Sequence, residues 1–213
     1  TKASNKQVSS KQEYSRNSAK SSSLPDLRKY PSGTPRKKAF LRTVMPYITS
    51  QNAAIAAERN WLISKQYQGQ WSPAERARLK DIAKRYKVKW SGNTRKIPWN
   101  TLLERVDIIP TSMVATMAAA ESGWGTSKLA RNNNNLFGMK CMKGRCTNAP
   151  GKVKGYSQFS SVKESVSAYV TNLNTHPAYS SFRKSRAQLR KADQEVTATA
   201  MIHKLKGYST KGK

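Results

Sequence analysis

Apolar residues return at three- and four-residue intervals in one stretch of this chain after another, and that spacing restricts it to a mainly helical fold. Phe40, Val44 and Ile48 stand four apart, and Ile55 and Leu62 continue the series. An α-helix turns once in about 3.6 residues, so such spacing gathers the side chains on one face. Pro46 lies inside the series and predicts a bend there. "SPAE" follows, with Ser72 as N-cap, Pro73 in the first turn and Glu75 three residues on. This is a capping box, and it opens a helix running to about Tyr86. "IPWNTLLERVD" predicts another short helix, and "IPTSMVATMAAAE" opens the next with Pro110 and Thr111 or Ser112. Ser161 and Glu164 form a second capping box before a stripe of Val162, Val166, Tyr169, Val170 and Leu173. "NTHP" ends that helix, and two helical stretches follow near 178–190 and 194–205. Between Asn132 and Phe159 glycines and polar residues dominate, which predicts loop plus a small hairpin. The expected fold class is therefore mainly α: a helical bundle around a cleft with one small β-hairpin. There is no internal repeat.

Length and charge narrow the function. The chain has 213 residues, enough for one domain and a tail or for two very small domains. Residues 1–38 are rich in Ser, Lys, Asn and Gln and read as a flexible basic tail, serving as an electrostatic anchor or as a passive linker. Residues 39–213 are then the folded domain. Forty Lys and Arg against 11 acidic residues give a net charge of +29, which attracts nucleic acid, an anionic membrane surface or an acidic cell-wall polymer. No run approaches the roughly 18 apolar residues that a membrane-spanning helix needs. The chain starts without the apolar core of a secretion signal, so any such signal is expected to have been removed. Cys141 and Cys146 enclose "MKGR", a segment able to fold back on itself, so a disulfide is expected, with two free thiols as the alternative. His176 and His203 are far from both cysteines in sequence, which argues against a metal site.

One carboxylate stands out among the 11. Val114, Met117, Ala118 and Glu121 are spaced i, i+3, i+4, i+7, and Gly123 supplies a stop. Glu121 is then expected to project from the last turn of a buried helix, where desolvation and the negative end of the helix dipole favour its protonated form and nearby cations oppose them. A carboxyl that keeps its proton suits general-acid chemistry on a glycosidic oxygen. The alternative is a side chain that bends to solvent or pairs with Arg131. Trp124 adds a flat apolar face suited to sugar stacking, and the asparagine run adds amides that can bond hydroxyl and N-acetyl groups.

The stretch "MAAAESGWGTSKLARNNNNLFGMKC" resembles the signature of Bax-type proteins, in the mannosyl-glycoprotein endo-β-N-acetylglucosaminidase-like group of glycoside hydrolase family 73. The resemblance extends to "AFLRTVMPYITSQNAAIAAERNWL", "WNTLLERVDIIPTSMV", "FSSVKESVSAYVTNLNTHPAYSSFR" and "GYST", and so covers about residues 38–210. It implies a lysozyme-like, mainly helical fold, cleavage of the β-1,4 bond after N-acetylglucosamine in peptidoglycan, and Glu121 as the catalytic acid. It aligns Tyr208 with a tyrosine placed near that Glu, where a phenol can hold the N-acetyl group or orient a water; the alternative is a packed C-terminal aromatic. The chain ends five residues after Tyr208, where relatives usually continue. Asn134, Asn135, Phe137 and Gly138 match the loop after the catalytic helix, with Asn135 and Phe137 as sugar-contacting candidates or as cap and core. Tyr156 and Phe159 are candidates for the cleft lining. No metal or organic cofactor is implied.

One feature departs from the pattern. After Glu121 the next acidic residue is Glu164, which sits at a capping-box position and reads as structural. The second catalytic group is then an activated water, the substrate's own N-acetyl group, or a remote acid such as Glu104 or Asp193. The expected partners are peptidoglycan strands and an anionic envelope surface, for a monomer that is periplasmic or secreted. A glycan binder with weak catalysis is the competing reading. A nucleic-acid reader is a third, but the basic residues are spread along the chain rather than gathered in one reading motif, so no specific nucleic acid is expected.

Overall fold

The computed structural model describes residues 23–204 apart from positions 142, 143, 145 and 147. Among them are eight α-helices: α1 (Thr34–Lys65), α2 (Pro73–Arg85), α3 (Trp99–Arg105), α4 (Thr111–Ser122), α5 (Lys128–Asn133), α6 (Val162–Thr175), α7 (Ser180–Lys191) and α8 (Ala198–Met201). Short 3-10 turns occupy Leu27–Lys29, Pro177–Tyr179 and Ile202–Lys204. The mainly helical expectation holds. The helix expected from Phe40 onward starts at Thr34 and continues through Pro46. Ahead of it, Asp26 caps the first 3-10 turn, and Leu27 is fully buried.

The chain divides into two compact units. The first comprises the described parts of Thr1–Val44 with Ala118–Val166, and the second Met45–Met117 with those of Ser167–Lys213.

In the second unit the core is built from the stripes that the spacing gave. Ile48, Ile55 and Leu62 of α1, Leu79 and Ile82 of α2, Leu102 of α3, and Leu173 and Phe182 of α6 and α7 are all buried. The capping box on α2 is complete, with Ser72 Oγ accepting from Glu75 N and Ser72 N donating to the Glu75 carboxylate. A polar hub lies within this core. Asp107 is 1% exposed and accepts two hydrogen bonds from Arg190, at 2.9 and 2.8 Å, with Arg59 and Arg186 at 3.5 and 3.9 Å. Arg186, fully buried, donates to the carbonyls of Glu104, Asp107 and Ile108 and to the Asn174 side chain. A buried charge is tolerated only when paired and hydrogen-bonded; Asp107 is paired with three arginines and Arg186 donates through both Nη groups, while its buried Nε, 3.9 Å from the Asp107 carboxylate, makes no hydrogen bond among the described residues.

The first unit buries Leu27, Phe40, Val44, Ala118, Ala130, Leu136, Phe159, Val162 and Val166. The expected hairpin is absent among the described residues. What remains is one antiparallel bridge, Lys140 to Tyr156, flanked by Ser157 N to Met139 O and Cys141 N to Gly155 O. Gly144, Gly151 and Gly155 adopt φ of +78°, +79° and +81°, which turns the backbone out of the extended path that two paired strands require. Cys141 and Cys146 are joined in a disulfide with their Cα atoms 5.2 Å apart, which closes the expected short loop.

Candidate active site

Helix α4 ends on a glycine-rich turn that fixes where Glu121 stands. Gly123, Trp124 and Gly125 take φ of +55°, +56° and +78°, three left-handed residues in succession. Trp124 N donates to Ala119 O, the six-residue closure typical of a helix C-terminus. Ser122, fully buried, donates to Ala118 O at 2.5 Å and accepts from Gly125 N at 2.9 Å. Gly125 has no room for a side chain, since a Cβ there would lie 2.5 Å from Leu27 Cδ1 and 3.2 Å from Phe40 Cδ2.

Glu121 itself is exposed. This corrects the expectation of a desolvated carboxyl on a buried face. Helix α4 buries Met113, Val114, Ala115, Ala118 and Ala119, so its apolar surface runs most of the way round and the i, i+3, i+4, i+7 series selects no single face. Arg131 does not pair with Glu121; its Nε donates to Thr126 O at 3.0 Å. One oxygen of the carboxylate lies beside the space that a side chain at Gly138 would fill. A Cβ built on Gly138 would lie 3.0 Å from Glu121 Oε2, and Gly138 has φ of +63°.

The asparagine run positions that glycine. Helix α5, capped by Ser127 through Ala130 N, closes on Asn134 in the left-handed conformation at φ 50°. Asn133, fully buried, accepts from Val153 N at 2.8 Å and donates to Val153 O at 3.1 Å. Asn134 donates to Phe159 O at 3.1 Å. Asn135 is 1% exposed and donates to Met139 O at 2.8 Å and Ser157 O at 3.0 Å. Its Oδ1 accepts from Phe137 N at 3.3 Å and Met139 N at 3.1 Å. A side-chain amide has two donors and two acceptor lone pairs, so no capacity of Asn135 is left for a sugar. Phe137, 6% exposed, sits in the core of the same loop. Of the two alternatives offered for Asn135 and Phe137, burial and hydrogen bonding match cap and core, as supports of the loop that carries Gly138.

The other expected residues fall as follows. Trp124 is half-buried, with the Phe40 ring edge-on at 5.5 Å and the Lys37 ammonium 5.1 Å from its ring centroid. The Trp124 ring therefore lies beside a cation. Tyr156 is half-buried at the single bridge, and Phe159 is 2% exposed, a core residue rather than a lining one. Tyr208 lies outside the described residues. Glu164 accepts from Ser160 N at 2.6 Å, and Ser161 Oγ accepts from Glu164 N, so it serves the start of α6 as expected, one residue off the reciprocal capping pattern. Asp26 is paired with Arg28, whose side-chain hydrogen bond holds its carboxyl down at about 2. His176 Nδ1 accepts from Ala178 N in a turn. No cluster of metal-ligating side chains occurs among the described residues.

Sequence reasoning placed Gly138 in the loop and offered the asparagines as caps, but missed Ser122 and the proximity of Gly138 to Glu121. The available signal was a glycine two residues after a fixed amide, in a loop that needs a left-handed turn.

A family model described as mannosyl-glycoprotein endo-beta-N-acetylglucosaminidase matches residues 98–213, more than half of the chain, and the matched segment contains Glu121. No solved structure matches the chain.

Proposed function

The chain belongs to the glucosaminidase family described as mannosyl-glycoprotein endo-beta-N-acetylglucosaminidase, and from that premise we propose that it hydrolyses the β-1,4 bond after N-acetylglucosamine in peptidoglycan with Glu121 as general acid. The observation that carries this reading is the placement of Glu121: an exposed carboxyl in the last turn of α4, beside the space left open at Gly138. A general acid must touch the oxygen it protonates, and the exposure of Glu121 leaves its carboxyl open to such contact. Donation of its proton to the glycosidic oxygen lets the bond break as positive charge builds on the sugar ring. Trp124 offers an apolar ring for the sugar, and Tyr156 stands on the loop beyond the disulfide. Tyr208 is assigned to the N-acetyl group or the attacking water. A lysozyme-like arrangement and an envelope or secreted location belong to the same proposal, and among the described residues no helix is long and apolar enough to cross a membrane.

A second reading, a glycan-binding protein of weak catalysis, is favoured by one observation. In the unit that holds Glu121, the other described acidic residues are Asp26 and Glu164, and both are engaged, one with Arg28 and one with Ser160. Two-carboxylate glycosidases hold the second group on the far side of the scissile bond. A reaction at Glu121 then relies on the substrate's N-acetyl group, on water held by other side chains, or on a remote acid such as Glu104 or Asp193. Incubating purified peptidoglycan with the protein and with Glu121→Gln, then identifying reduced fragments by mass spectrometry, separates the readings. New ends in reduced N-acetylglucosamine, lost in the variant, support the hydrolase; pull-down of intact polymer without release supports the binder.

A further inference from the structure

We propose that Gly138 is a positioning residue for Glu121: the absence of a side chain at 138 leaves the space in which the Glu121 carboxylate stands, and a side chain there would displace it. This rests on the reading of Glu121 as the general acid.

Three observations carry it. The position of a Cβ on Gly138 would be 3.0 Å from Glu121 Oε2, closer than ordinary van der Waals contact, and the next atom it would meet is the Cδ of the same carboxylate at 3.9 Å. Among the described residues, a Cβ on Gly138 would thus meet Glu121 and nothing else within 4 Å. The loop is held rigidly, because all four hydrogen-bonding positions of Asn135 go to the backbone of Phe137, Met139 and Ser157. The other side of Glu121 is fixed too, since buried Ser122 ties the end of α4 to Gly125. An exposed Glu has three rotatable bonds, and the space left open at Gly138 favours the arrangement in which one carboxylate oxygen lies there.

The same unit contains a matched control. Gly151 also has a left-handed backbone, with φ of +79°, and a Cβ there would meet nothing within 4 Å. Gly138→Ala and Gly151→Ala therefore share the backbone strain and differ in the contact with Glu121.

Steady-state cleavage of a soluble peptidoglycan fragment is measured for the protein and both variants. The expected result is a kcat lower by about tenfold to a hundredfold for Gly138→Ala with KM within about twofold, and Gly151→Ala close to the parent. Equal loss in the two variants, or a loss confined to KM, overturns the proposal. Melting temperature reads the contact without catalysis, which covers a Gly138→Ala protein too unstable to assay. Glu121→Ala removes the atom that the new methyl meets, so the double variant is expected to melt above Gly138→Ala alone; if it melts no higher, the contact is not the cause and the proposal falls. Failure of the function itself looks different. A parent protein that releases no fragments sinks the Glu121 reading while the melting comparison still decides the contact. A parent that cleaves, with Gly138→Ala matching Gly151→Ala, leaves that reading standing and rejects this one alone.

Discussion

Ser122 and Gly125 show how single side chains hold the end of α4. Ser122 is fully buried and its hydroxyl serves one carbonyl and one amide. Ser122→Ala leaves the Gly125 amide without that acceptor, and is expected to cost about 1–3 kcal/mol, measured as a shift in the urea midpoint at constant slope. Gly125→Ala meets Leu27 and Phe40 and forces a left-handed backbone on an L-residue. A loss of about 2–4 kcal/mol is expected, and an unchanged midpoint would contradict the packing described. Both residues were visible in the sequence only as punctuation. Gly123 announced a helix stop, but nothing local says that a serine hydroxyl will be sealed beneath it. The exposure of Glu121 was hidden for a related reason: when a helix buries most of its circumference, periodicity cannot tell which position escapes.

Among the elements, α2 and α6 were the most legible, because their start signals are local. Ser72 and Glu75 form the reciprocal box that the four letters "SPAE" imply, and Ser72→Ala is expected to cost about 1 kcal/mol in the same urea measurement. Glu75 carries a pH signature. Its carboxyl is held down to about 2 from 4.5, chiefly by the hydrogen bond from Lys65, with Ser72 and Gln68 adding to it. A depressed carboxyl stabilises the fold fully above its unfolded value and loses that contribution as pH falls toward its folded value. The melting temperatures of the protein and Glu75→Gln should therefore differ above about pH 4.5 and converge as pH falls toward about 2. The stripe Val162, Val166, Tyr169, Val170 and Leu173 is buried throughout, as its spacing required. The hairpin was not legible. Polar residues and glycines between Asn132 and Phe159 fit a hairpin by composition, but among the described residues the backbone pairs only around the Lys140–Tyr156 bridge, and at Val153 and Phe159 it bonds to asparagine side chains.

At the scale of the molecule, the buried hub on Asp107 was beyond sequence reading, because Arg186 and Arg190 lie about 80 residues along the chain and each arginine alone looks like a surface charge. Burial raises the Asp107 carboxyl, but the Arg190 hydrogen bonds and the charges of Arg186 and Arg59 outweigh it, and the net shift is downward. Its contribution is present at neutral pH and is lost on acidification through its depressed value. Asp107→Asn leaves a fully buried Arg186 without its counter-charge, and a loss of about 3–5 kcal/mol is expected in denaturant melts near neutral pH. The net charge of +29 acts elsewhere, on association. Adsorption to any anionic polymer should weaken steeply with salt, while cleavage depends on Glu121. The most direct measurement is therefore made at salt high enough to suppress adsorption: purified peptidoglycan is digested with the protein and with Glu121→Gln, and the reduced fragments are weighed by mass spectrometry. Fragments ending in reduced N-acetylglucosamine from the parent and none from the variant are the predicted result. Equal release from both proteins, or ends in N-acetylmuramic acid, would contradict the assignment of Glu121 and of the bond it cleaves.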